Sequence, residues 1–89
     1  MNTTIEFSEV FHSDGAISAR LVCADLPKGV DARDYTYRIY RNPAGWCETT
    51  SRSFGKGSIR YGRAQSYEAA QQAAIKWAER KIAEARRAA

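Results

Sequence analysis

The chain is poor in the residues that most often carry chemistry: among 89 residues there are one histidine, two cysteines, two prolines and one methionine. His12 is the only imidazole, and no nucleophile or pair of carboxylates stands beside it in the sequence, so general acid–base and triad chemistry lack a constellation. Cys23 and Cys47 are far apart in sequence; with one histidine they cannot complete a four-ligand zinc site without carboxylates, and the spacing is not that of a zinc knuckle. They read as free, buried thiols of a reducing compartment that behave as small apolar residues. Gly55-Lys56-Gly57-Ser58 lacks the first glycine and the spacing of a GxxxxGK phosphate loop, which leaves a turn bearing one cation. No enzyme, cofactor or metal is therefore expected.

Long hydrophobic runs are missing too. No stretch approaches the roughly 20 apolar residues that cross a bilayer. Met1-Asn2-Thr3-Thr4 lacks the basic-then-apolar pattern of a signal peptide, so the expected location is cytoplasmic, with no membrane partner. Repeats, linkers and low-complexity tracts are absent, and the length suits one domain over 1–89. What is present is a globular composition, 44% apolar and 11% aromatic, with a formal charge of +4. That mildly basic balance permits phosphates or acidic proteins as partners without requiring either.

The pattern of residues predicts an α+β fold: an antiparallel four- or five-stranded sheet packed on one long C-terminal helix. Strands are expected at about 3–12, 16–24, 34–41, 46–54 and 58–61, and the helix at about 67–87. Ile5, Phe7 and Phe11 share a face of the first strand, with Glu9 interrupting the row; Ile17, Ala19, Leu21 and Cys23 alternate with Ser18, Arg20 and Val22 in the second. Ser13-Asp14-Gly15 and Asn42-Pro43-Ala44-Gly45 carry turn chemistry, as does Gly55-Lys56-Gly57, and Leu26 to Asp31 is a loop broken by Pro27 and Gly29. Ser66 suits an N-cap, Glu68 favours the positive end of the helix dipole, and Arg86 and Arg87 favour the negative end. At 100° per residue, Tyr67, Ala70, Ala74, Ile75, Trp77, Ala78, Ile82 and Ala85 form one stripe facing the sheet.

The candidate site is the other face of that sheet. If Tyr37, Ile39, Cys47, Ile59 and Tyr61 point at the helix, the period of two sends Arg38, Tyr40, Trp46, Arg52 and Arg60 outward. Guanidinium groups pair with phosphates and base edges, and flat rings pack on sugars or bases. A solvated face without a ligand, or swapped faces with Trp46 and Tyr40 in the core, are the alternatives. A secondary candidate is the exposed helix stripe of Lys76, Arg80 and Arg87, which Glu79 and Glu84 dilute if they pair with it.

Residues 35–74 also carry a resemblance. Tyr37-Arg38-x-x-Arg41-x-Pro43-x-Gly45-Trp46, then Lys56-Gly57, then Tyr61-Gly62-x-x-x-Ser66-x-Glu68-Ala69-Ala70-x-x-Ala73 resembles the AP2-type DNA-binding domain, and the layout is similar to the arm-binding domain of tyrosine integrases. The resemblance implies three antiparallel strands on one helix and DNA read by Arg and Trp of the sheet, here Arg38, Arg41, Trp46 and Arg52. The chain departs from that pattern by an additional front hairpin, by Glu48 near the implied DNA face, and by a longer helix.

Two functions follow as expectations. The first is a small non-enzymatic module binding DNA by contacts alone, through Arg38, Tyr40, Arg41, Trp46, Arg52 and Arg60. The second is a protein-binding inhibitor or adaptor of the phage or mobile-element type, comparable in size with anti-CRISPR proteins, with Tyr35, Tyr40 and Trp46 as anchors. Asp25, Asp31, Asp34 and Glu48 suit that alternative better than a phosphate surface. Exposed edge strands allow a monomer or a dimer.

Overall fold

The computed structural model describes residues 6–23, 35–53 and 59–88, apart from the side chains of Val22, Cys23, Arg86 and Ala88. Ile5, the Leu26 to Asp31 loop, the Gly55 to Gly57 turn, Asp25, Asp34 and the Cys23 thiol lie outside the described residues. Five strands, β1 (Glu6–Phe11), β2 (Ile17–Cys23), β3 (Thr36–Arg41), β4 (Cys47–Arg52) and β5 (Ile59–Ala64), precede one helix, α1 (Tyr67–Ala88). The strands form an antiparallel meander in the order β1-β2-β3-β4-β5, and α1 lies across β3, β4 and β5. The expected fold class is the observed one.

Two hairpin turns share one construction. His12 N–H donates to the Ala16 carbonyl at 2.8 Å and Gly15 N–H to the His12 carbonyl at 3.0 Å; Asn42 and Gly45 repeat both bonds with Trp46 and Asn42, at 2.8 and 2.9 Å. The closing residues Gly15 and Gly45 have φ of 82° and 93°, a region that a Cβ disfavours, and Pro43 supplies the preset φ of the second turn. Asp14 and Asn42 add side-chain acceptors for the amides of Ala16 and Trp46.

The helix begins where its cap dictates. Ser66 Oγ accepts from the Ala69 amide at 3.1 Å, a bond of about 1 kcal/mol in helix caps. From there Ala70, Ala74, Trp77, Ala78 and Ile82 are buried, while Tyr67, Ile75 and Ala85 are half-buried, so the predicted stripe is the one that meets the sheet. Opposite it stand Ala19, Tyr37, Ile39 and the free, buried Cys47. Glu9, which interrupts the apolar row of β1, is accommodated at the margin of this face. It accepts from Tyr37 Oη at 2.6 Å and from the Gln71 amide. Burial, and then the hydrogen bond from Tyr37 to Glu9, push the Tyr37 pKa far above its ordinary value.

The fifth strand departs from expectation in length and in phase. It continues through Gly62 and Arg63 to Ala64, and its register sets Arg60 opposite Ser51, Gly62 opposite Thr49 and Ala64 opposite Cys47. Since directly opposed residues share a face, and Ser51, Thr49 and Cys47 are buried, Arg60 lies on the helix side. Ile59 and Tyr61 face outward instead, 43% and 77% exposed. The physical reason is room: the Ala-rich stripe of α1 approaches small side chains, and Ala64 packs against that cluster where a tyrosine ring would not fit.

Candidate nucleic-acid interface

Among the described residues, nothing covers the outer face of the sheet, and register arranges its side chains in rows. Ser8, Arg20, Thr36, Arg52 and Ile59 stand side by side across the five strands. The next row is Val10, Ser18, Arg38, Thr50 and Tyr61. A third holds Tyr40, Glu48 and Arg63, with Trp46 beyond it. Arg38 is therefore the diagonal neighbour of both Arg20 and Arg52, about 7–8 Å from each at the backbone, and every residue directly opposite one of the three on β2, β3 or β4 carries a hydroxyl. This checkerboard spares the arginines the destabilising contact of like charges directly opposed. The same residues line an open concavity of about 700 Å³.

Polar contacts orient part of this face. Arg38 donates to Ser18 Oγ at 3.1 Å and pairs with Asp14 at 3.6 Å, an exposed pair of small energetic weight. His12 Nε2 lies 3.0 Å from the same hydroxyl; the partner it lacks in sequence is supplied by the adjacent strand, within the Arg38 cluster. Among the described residues Arg20 and Arg52 have no carboxylate partner. Arg63 lies over the Trp46 ring, 5.9 Å from its centroid, and reaches Glu48 at 3.4 Å.

Glu48 is the one acidic side chain in the three rows, and it is engaged. It accepts from Asn42 at 3.1 Å, from Tyr40 at 3.4 Å and from Arg63. The Asn42 bond first, then Arg63 and Tyr40, hold its carboxyl below the usual range. The network is thus complete above the ordinary carboxylate pKa and fades as pH falls through the lowered value. If this face binds duplex DNA, Glu48→Gln should raise the affinity about threefold by removing one negative charge and releasing Arg63, with little change in Tm. Fluorescence anisotropy would measure it, and weaker binding would show that the face needs Arg63 held in place.

The sequence-predicted residues divide. Arg38, Tyr40, Trp46 and Arg52 meet on the outer face. Arg60 does not, for the register reason given above. Arg41 opposes Cys47 on the helix side, where it lies over the Tyr67 ring at 5.3 Å and donates to the Gly45 carbonyl at 2.9 Å. Tyr35 is buried, which removes it as an interface anchor. Lys76, Arg80 and Arg87 are exposed on α1, and Glu84 pairs with Lys81 rather than with them. The residues missed are Arg63, Tyr61 and Arg20. Alternation counted back from Ala64 finds the first two, and Arg20 stood on the polar side of β2 from the outset.

Among the described residues no cluster of His, Cys, Asp and Glu is suited to hold a metal ion, and no helix is long and apolar enough to cross a membrane. The chain is an α+β protein whose five-stranded meander is covered by a helix on one face. No protein-family model, curated protein or solved structure matches it.

Proposed function

We propose that the protein binds DNA through the outer face of the sheet, without catalysing a reaction. The observation that carries this reading is the checkerboard of Arg20, Arg38 and Arg52 among Ser and Thr hydroxyls on an open concavity. Guanidinium and hydroxyl groups are both phosphate donors, and a backbone passing over the face meets three cations in turn. Tyr40 on β3, Trp46 just before β4, and Tyr61 and Arg63 on β5 add rings and a further cation to the same face. The AP2-type resemblance points the same way through Arg38, Trp46 and Arg52.

The second reading, a protein-binding inhibitor or adaptor, draws on Val10, Ile59 and Tyr61, large apolar side chains exposed on the same face. Anisotropy titrations against duplex and single-stranded oligonucleotides at two salt concentrations separate the two. Affinity for DNA should fall steeply with salt, at about 0.9 logarithmic units per phosphate contacted. No measurable affinity even at low salt would remove the DNA reading and leave the protein partner.

A further inference from the structure

On the helix side of β4 and β5 two polar atoms are buried without a hydrogen-bond partner: Arg60 Nη1 and Ser51 Oγ. They belong to residues that face each other directly in the register. A guanidinium stays charged at any pH a protein tolerates, so burial cannot be relieved by neutralising it, and a buried donor left unmade is costly. Among the described residues no carboxylate pairs with Arg60. Ser51 is 1% exposed, and its hydroxyl is likewise without a partner.

The guanidinium has been given its place by the backbone. It lies over Gly62, where a Cβ would stand 2.7–2.8 Å from its Nη and Cζ atoms. Thr49, buried and directly opposite Gly62, continues the polar row of β4. A cation with a free N–H and a buried hydroxyl on the directly facing residue of β4 form the donor set of an oxyanion site. The geometry points to Arg60 and Ser51 as a binding site for a small oxyanion, a phosphate or a carboxylate group, on the helix side of β4 and β5. This site is on the opposite side of the sheet from the DNA-binding face and does not depend on that reading.

The test is thermal unfolding in inorganic phosphate and in acetate, each against chloride at equal ionic strength. An oxyanion at tenfold excess over its Kd should raise the Tm of the intact protein by about 5–10 °C relative to chloride. A rise with phosphate alone identifies a tetrahedral ligand; a rise with both identifies the carboxylate geometry as sufficient. Arg60→Met should abolish the response, and in chloride it should unfold no lower than the intact protein, because a buried N–H without a partner has been removed. Gly62→Ala should also abolish it while the fold persists, since the colliding group is the end of a flexible side chain that can move aside. Arg38→Ala should respond as the intact protein does. An equal Tm rise in Arg60→Met and in the intact protein would place the anion on the outer face and overturn the assignment. So would the absence of any rise beyond chloride.

Discussion

Trp77→Ala should cost roughly 3–5 kcal/mol of folding stability, as deletions of large buried aromatics do. Trp77 is 8% exposed on the buried stripe of α1, and Lys81 Nζ sits 5.6 Å from its ring centroid on the solvent side. A domain of this length has about 5–10 kcal/mol in all, so the variant should stand close to unfolding. At about 4–8 °C per kcal/mol for small domains, its Tm should drop by more than ~12 °C, read by circular dichroism. The matching control is Trp46→Ala. That ring lies on the outer face at 37% exposure, and its loss should move Tm by only a few degrees. Equal shifts for the two tryptophans would contradict the division of the sheet into a covered and an open face.

The combined replacement of Arg20, Arg38 and Arg52 by alanine should lower DNA affinity on the order of a hundredfold at low salt, taking about 1 kcal/mol for each charge-assisted contact. It should also flatten the logarithmic salt dependence by nearly three units. The three residues are exposed, and Arg38 alone has an ion pair among the described residues, with an exposed Asp14, so Tm should scarcely change. Arg60→Met provides the contrast: a residue on the helix side should leave DNA affinity within about twofold. Affinity that survives the triple replacement would assign binding to Lys76, Arg80 and Arg87 on α1.

Much of this architecture is legible in the sequence because apolar side chains mark one face without ambiguity. Ile17, Ala19 and Leu21 in β2, Tyr37 and Ile39 in β3, and the Trp77 stripe of α1 each repeat at the period of their element. The phase of β5 was hidden because its covered positions are Arg60, Gly62 and Ala64, none of which registers as strongly apolar. Its solvent positions, Ile59 and Tyr61, do register so, and alternation read from hydropathy alone turns the strand over. Hydropathy has no measure of the space beneath a helix, and space decided this strand. The same inversion puts Arg60 on the candidate surface and hides Arg63. The resemblance implies Arg41 as a DNA contact, although counting by two from Ile39 sets it on the helix side.

The simple strand order has a kinetic consequence. Each strand pairs only with its neighbours along the chain, and the longest link between paired strands is residues 24–35. Closing such links costs modest chain entropy, so the sheet can grow one hairpin at a time, without waiting for distant segments to meet. Because α1 lies across β3 to β5, the carboxyl-terminal portion holds the helix and the strands it covers together. The front hairpin can join last, placing the Arg20 end of the concavity after Arg38 and Arg52 are already in position.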